Sequence, residues 1–395
     1  MRINLVVILF FIILVFTTCV KQVTPHVEKY DKLLVVEGAI TDQPSPYTVK
    51  LSISSDLLQR LQYNPYSKCI VEISDNDGNS ETLTEVSPGI YKTDSLGIQG
   101  VVGRTYKIKI STPDGQLYES EDEVLRKSIG IQSLDAEYEQ KDGRDGYQFY
   151  LDAENYSASD SNYFFWSLES TYKFKTDYKI YFYYEGGGII KPFPNPDSLQ
   201  TGYRTQQIIE LYTFNPVELS QNQIIHFPLN YEDTYSKALT IRYCLTVNQY
   251  TLNKKQYTYW NTLKKMNSNQ GSLYSQQPYQ VKGNIFNVNN PENPVLGYFM
   301  VAGLSQKRMF VDPLPSGLYH YPVCGPPGLE KVSLINRLKY QTKPQDWPLY
   351  IAPSTESPPG SGICKSGVIV GLESDKACAD CRAIGVLQKP KFWIE

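Results

Sequence analysis

Histidine is nearly absent from this sequence, at three residues in 395. The side chain best suited to proton transfer and metal ligation near neutral pH is therefore scarce. His26, His226 and His320 stand far apart, and no His-Glu-x-x-His pair occurs. The chain also lacks a Gly-x-Ser-x-Gly elbow and a phosphate-binding glycine loop. Acidic pairs such as Asp142 with Asp145 and Glu119 with Glu121 fall in turns or beside strands. There they read as solvated surface, not as a glycosidase pair. Asp75-Asn76-Asp77-Gly78 resembles the start of a calcium loop, but Val86 occupies the twelfth position where a glutamate is required, so it reads as a hairpin turn. Positive charge is not in excess, since 38 Lys and Arg face 41 Asp and Glu, and nothing draws nucleic acid. After the first apolar run, no second one reaches the roughly 20 residues that a membrane helix needs. These absences predict a non-enzymatic chain without metal, cofactor or nucleic-acid partner.

What is present begins with an address. Arg2 precedes the unbroken apolar run Leu5 to Phe16, and Val15-Phe16-Thr17-Thr18-Cys19 closes it. The run is too short to span a bilayer but suits a secretory signal. Its ending resembles a bacterial lipobox, with Thr18 where Gly, Ala or Ser is commoner. The expectation is a signal peptide over residues 1–18, acylation at Cys19, and a polar tether over 19–32 that holds the body to a lipid bilayer.

From Leu33 the pattern turns to strands. Val49, Leu51 and Ile53 alternate with polar neighbours, as do Cys69, Val71 and Ile73, and then Tyr106, Ile108 and Ile110. Period-2 alternation marks strands with one buried face. Asp75 to Gly78, Ser87-Pro88-Gly89 and Thr112 to Gly115 supply tight reversals between them. Short strands at this spacing predict a sandwich of immunoglobulin or transthyretin type over 33–124. Further strands are expected at Ile131 to Leu134, Tyr147 to Leu151, Tyr163 to Trp166, Leu239 to Leu245, Gly283 to Val288 and Val295 to Gly303. Residues 125–395 thus read as a larger β-rich domain with a cysteine-rich end. One helix is predicted within it, capped by Asn253, with Tyr257, Trp260 and Leu263 recurring every third residue and ending before Asn267. Its flanking lysines, Lys254, Lys255, Lys264 and Lys265, read as a solvated face.

Tyrosine is the compositional outlier, at 32 residues against 15 Phe. Tyr suits half-buried strands, because its ring packs while its hydroxyl stays polar. Two groups remain candidates for recognition: Tyr181, Tyr183 and Tyr184 beside a glycine triplet, and the loop Tyr319-His320-Tyr321. The alternative is that they pack between domains. With Cys19 lipidated, Cys69 and Cys244 fall within strands and read as buried free thiols. Cys324, Cys364, Cys378 and Cys381 crowd the C-terminal region, and two disulfides of unassigned pairing are expected in an oxidising compartment. Four thiolates could hold zinc, but a structural site usually shows two close pairs, and Cys324 and Cys364 are 40 residues apart.

Several stretches resemble one known family. Leu34-Val35-Val36-Glu37-Gly38-Ala39-Ile40-Thr41-Asp42 is similar to its opening strand, and Leu83 to Tyr91 and Gly100 to Tyr106 follow in the same order. Tyr163 to Phe174, with Trp166, Glu169, Thr171 and Tyr172, resembles its second-domain signature. Tyr257, Tyr259-Trp260, Gly271-Ser272-Leu273, Gly283-Asn284-Ile285, Gly297-Tyr298-Phe299 and Cys378-Ala379-Asp380-Cys381-Arg382 continue the match to Phe392-Trp393. The family is the Bacteroidetes lipoprotein family known as domain of unknown function 4249. It brings no established activity or catalytic residues. Its members are commonly encoded beside TonB-dependent outer-membrane receptors, so the resemblance implies an accessory or ligand-capture subunit of such a receptor or envelope complex. The alternative is a stand-alone glycan- or peptide-binding surface lipoprotein. Relatives often carry Gly-Gly after the last cysteine motif and end Pro-Asp-Phe-Trp, where this chain reads Ala383-Ile384-Gly385 and Pro390-Lys391-Phe392-Trp393. The acidic cluster that usually follows the lipidated cysteine in surface-exported relatives is missing from Val20 to Thr24. The resemblance still points to the outer membrane, with the cell surface favoured over the periplasmic face.

Overall fold

The computed structural model describes residues 33–54, 64–153, 163–180, 182–186, 189–216, 223–268, 281–324, 350–354, 367–371 and 373–395. They are mainly β, with 52% strand, and α1 (Lys254–Ser268) is the one α-helix among them. The lipidation candidate Cys19, the tether, Tyr181 and Cys364 lie outside the described residues.

The alternating segments form the strands that their periodicity predicts. In Thr48–Ile53, Val49 and Leu51 are fully buried, and in Thr105–Ser111 so are Tyr106, Ile108 and Ile110. The reversals fall at the glycines, with Gly78, Gly89 and Gly115 all at positive φ. Asp75 Oδ1 accepts the N–H groups of Asp77 (3.0 Å) and Asn79 (2.8 Å), which makes that stretch a hairpin turn.

A nine-stranded sheet unites the two main cores of the described residues. Its order is Thr201–Phe214, Tyr163–Lys175, Arg242–Leu252, Leu296–Val311, Leu34–Thr41, Thr48–Ile53, Ile90–Lys92 and Thr84–Ser87, with Asn64–Pro65 beside Thr48–Ile53. Leu296–Val311 is the strand that unites it. Its first half pairs parallel with Leu34–Thr41, from Val35↔Leu296 to Thr41↔Ala302. Its second half pairs antiparallel with Arg242–Leu252, from Thr251↔Gly303 to Tyr243↔Val311.

A six-stranded sheet, ordered Ile285–Asn287, Leu117–Ser120, Thr105–Ser111, Ile70–Asp75 and Ser80–Thr82, with Glu123–Val124 alongside, closes the sandwich over the N-terminal end. Val36, Leu51, Val71, Ile73, Ile108 and Phe299 share the core between the two sheets. The expected boundary at 124 is therefore not closed in sequence: Ile285–Asn287 and the first half of Leu296–Val311 are strands of the N-terminal sandwich. Parallel pairing is non-local by nature, since a parallel partner must be delivered by a crossover.

Over the other half of the long sheet packs a three-stranded sheet, Ile131–Lys141, Arg144–Ala153 and Ile224–Asp233. Phe149, Leu151, Phe164, Trp166, Leu168 and Val247 fill that core. Helix α1 covers the opposite face through Tyr259, Tyr163 and Phe165. Tyr163–Lys175 is thus buried on both sides, which explains its unbroken aromatic run Tyr163-Phe164-Phe165-Trp166. A reciprocal cap starts the helix: Gln256 N–H donates to Asn253 Oδ1 (2.9 Å), and Asn253 N–H donates to Gln256 Oε1 (3.1 Å). The predicted Leu239 to Leu245 strand begins later, at Arg242. A four-stranded sheet joins Ile189–Pro192, Phe182–Gly186, Tyr350–Ser354 and Gly367–Gly371.

Candidate functional site

Tyrosine serves packing first. The Tyr47 hydroxyl donates to the carbonyls of Thr41 (2.9 Å) and Gln43 (2.6 Å), and that of Tyr106 to Gln99 O (3.0 Å), tying loops to the sandwich core. Tyr319, a recognition candidate, does the same: it packs on the main core, accepts Leu314 N–H (2.9 Å) and donates to Leu239 O. Its hydroxyl is thereby engaged within the fold. His320 is exposed, with its ring 5.6 Å from that of Tyr235. Tyr321 is half-buried beneath Lys237 Nζ, 5.6 Å from the ring centre. Lys237 pairs with Asp177 at 2.6 Å, and Asp177 Oδ2 accepts Cys324 N–H at 3.0 Å. The 319–324 loop is thereby fixed to the stem of the segment that leads to Tyr183. Tyr183 itself is half-buried and meets Phe193 edge-on at 6.5 Å, while Tyr184 lies next to it on the strand Phe182–Gly186.

Cys324 and Cys378 form a disulfide that closes this region. Cys381, expected among the cross-linked cysteines, is a buried free thiol. The short turn Cys381–Ala383, capped by Asp380, sets its sulfur against Thr201 O (3.4 Å) and the bare face of Gly202, while Cys378 is spent on Cys324. Cys69 and Cys244 are buried free thiols as expected, and burial pushes each up to about 11, so neither is primed as a nucleophile.

A buried polar nest escaped sequence reading. Glu232 accepts from Ser236 Oγ (3.2 Å) under the long sheet, near Tyr243. The Tyr243 hydroxyl lies against Glu232, Asn230 and Ser170, and Thr234 Oγ1 is buried without a hydrogen-bond partner among the described residues. Burial pushes the Glu232 carboxyl up from 4.5 to about 7. A raised acid contributes stability that is fully present below its unfolded pKa and is lost as pH rises through the folded value. Glu232→Gln keeps the neutral form at every pH. We expect it to stabilise the fold by roughly 2–3 kcal/mol at pH 8 and hardly at all at pH 4. Thermal melts at the two pH values check this; equal shifts at both would sink it.

An open groove of about 560 Å³ lies where α1 meets the sandwich. Its floor is Tyr259, Tyr298 and Val281, and its charged lining residues are Lys254, Lys255 and Lys282. The Tyr259 and Tyr298 rings lie 4.7 Å apart. Behind them the Tyr298 hydroxyl donates to Glu123 Oε1 at 2.8 Å, fixing the floor. Lys255 pairs with Glu121. Lys282 is far from the helix in sequence, so only the fold shows the lysines as one group. A helix whose first turn carries lysines and no acid was the available signal. Among the described residues no group of three or more His, Cys, Asp or Glu could hold a metal.

A family model described as a domain of unknown function (DUF4249) matches residues 20–308. No curated protein matches. Among solved structures, trypsin-activated alpha-2-macroglobulin from Escherichia coli is 11% identical, with 57% of this chain and 15% of that chain covered at a TM-score of 0.17. The chain spans a small fraction of that protein, and a likeness of this size carries no argument.

Proposed function

This chain belongs to the DUF4249 family, and from that premise we propose that it is an outer-membrane lipoprotein, anchored at Cys19 and facing the cell surface, that captures ligand as the non-enzymatic accessory subunit of a TonB-dependent receptor. The observation that carries the reading is the open groove at the junction of the sandwich and α1. Such a groove can hold a ligand without enclosing it, which suits capture and hand-over better than chemistry. It sits on the strand Leu296–Val311, which runs through both halves of the long sheet, so the binding surface has a firm support. The family's association with receptor genes supplies the partner.

Mild-detergent pulldown of the tagged lipoprotein from its own membranes tests this reading. A stoichiometric barrel receptor in the eluate is the expected result, and recovery of the lipoprotein alone, under conditions that preserve other barrel complexes, overturns it. A stand-alone glycan- or peptide-binding role is the second reading. It is favoured by the exposed ring pair Tyr235 and His320, and glycan and peptide arrays would reveal it.

A further inference from the structure

We propose that the groove between α1 and the sandwich binds a small organic anion: a carboxylate, sulfonate or phosphate carried on a compact apolar body. The proposal deepens the capture reading above and rests on it.

The argument starts from an electrostatic conflict. Lys254 and Lys255 occupy the first turn of a fifteen-residue helix that has no acidic residue there. The helix N-terminus already carries a partial positive charge, so cations at that end are unfavourable. Lys255 is offset by Glu121. Lys254 and Lys282 are exposed and have no ion-pair partner among the described residues. Two further acids lie against the floor: Glu37, exposed and in register with Tyr298, and Glu123, which is buried with its carboxylate engaged by Tyr298 and Asn253. Burial raises the pKa of Glu123, which favours its neutral form. The three groove lysines thus still outnumber the acids Glu121 and Glu37 beside them, in a chain whose net charge is −3. Local violations of this kind are expected at functional sites, and here an anionic ligand would supply the missing charge.

The floor sets the rest of the ligand. Val281, the edges of Tyr259 and Tyr298, and the lysine stems form an apolar bed, and Thr258 and Thr262 stand on the helix side. The volume of about 560 Å³ falls within the range typical of small-molecule sites. The undescribed residues 269–280, next to the groove in sequence, carry no Asp or Glu, so they cannot supply the complementary charge.

Two dyes with closely related apolar bodies and different charge test the proposal on the full mature chain: anionic 8-anilinonaphthalene-1-sulfonate and neutral N-phenyl-1-naphthylamine. We expect saturable binding of the anionic dye that weakens about tenfold in K254Q/K282Q, as two exposed ion pairs would give. Binding of the neutral dye should be unchanged by the substitution. Both lysines are exposed, and an unchanged thermal melt confirms that the variant is folded. Anionic-dye affinity that ignores the double substitution, or no saturable binding at all, overturns the proposal. Acetate, benzoate and inorganic phosphate as competitors then tell a carboxylate preference from a phosphate one. The receptor pulldown is independent of this result: a barrel partner recovered alongside a groove that ignores anions would sink the ligand class and leave the accessory role standing.

Discussion

Gly297→Ala is expected to destabilise the protein by more than ~2 kcal/mol, through strain plus a backbone collision. Gly297 has φ +89°, and an added Cβ would lie 1.9 Å from Val36 O and 2.8 Å from Val36 C. That contact sits in the register pair Val36↔Gly297, near the start of the parallel ladder that unites the long sheet. Nor can the chain shift the other way, because Gly283 lies so close that its own added Cβ would meet Gly297 O at 1.8 Å. Gly78→Ala is the internal control: its φ is +87°, but nothing lies within 4 Å of an added Cβ, so it bears conformational strain alone. Urea unfolding of the two variants separates the effects. If Gly297→Ala costs no more than Gly78→Ala, the close backbone approach at the junction is wrong.

Trp166→Ala should cost about 3–5 kcal/mol, the usual range for removing a buried large aromatic. Trp166 is fully buried, stacks on Phe227 with ring centres 4.5 Å apart, and donates from Nε1 to Gln249 Oε1 at 2.8 Å. Gln249 is itself fully buried and spends its amide on Ile129 O at 2.7 Å, so its carbonyl has no water to turn to. Trp166→Phe keeps most of the aromatic volume but strands that carbonyl, and should cost roughly 1–3 kcal/mol of its own. Thermal and chemical denaturation of the pair would show a graded loss. A shift under ~1 kcal/mol in Trp166→Ala would mean that the core closes over the gap, against the close packing described.

Much of the fold was legible because its causes are local. The alternation at Val49 and Leu51 or at Ile108 and Ile110, the glycines at hairpin turns, and the Asn253 cap depend on a few adjacent residues. The helix face was less well read. Its most buried residues are Gln256 and Tyr259, not Tyr257, Trp260 and Leu263, because α1 lies on an aromatic sheet face that contacts more than one side of it. The free state of Cys381 was not legible, since cysteine spacing is silent about which way a short turn points each sulfur. Nor was it legible that the Tyr319 hydroxyl ties two backbone segments together, because the partners of a tyrosine in a proline-rich loop are set by distant residues.

By itself, the sequence determined that the chain is mainly β, where its turns fall, where its helix begins, that Cys69 and Cys244 are buried, and which family it belongs to. Each of these follows from residue type and short-range periodicity, or from motifs in order. Only the tertiary structure decided that Leu296–Val311 binds the two halves into one sheet, that the Glu232 carboxyl is desolvated against Tyr243, and that Lys282 joins Lys254 and Lys255 over a tyrosine floor. The reason is physical: parallel pairing, desolvation and charge convergence depend on residues tens to hundreds of positions apart, whose proximity no local pattern encodes.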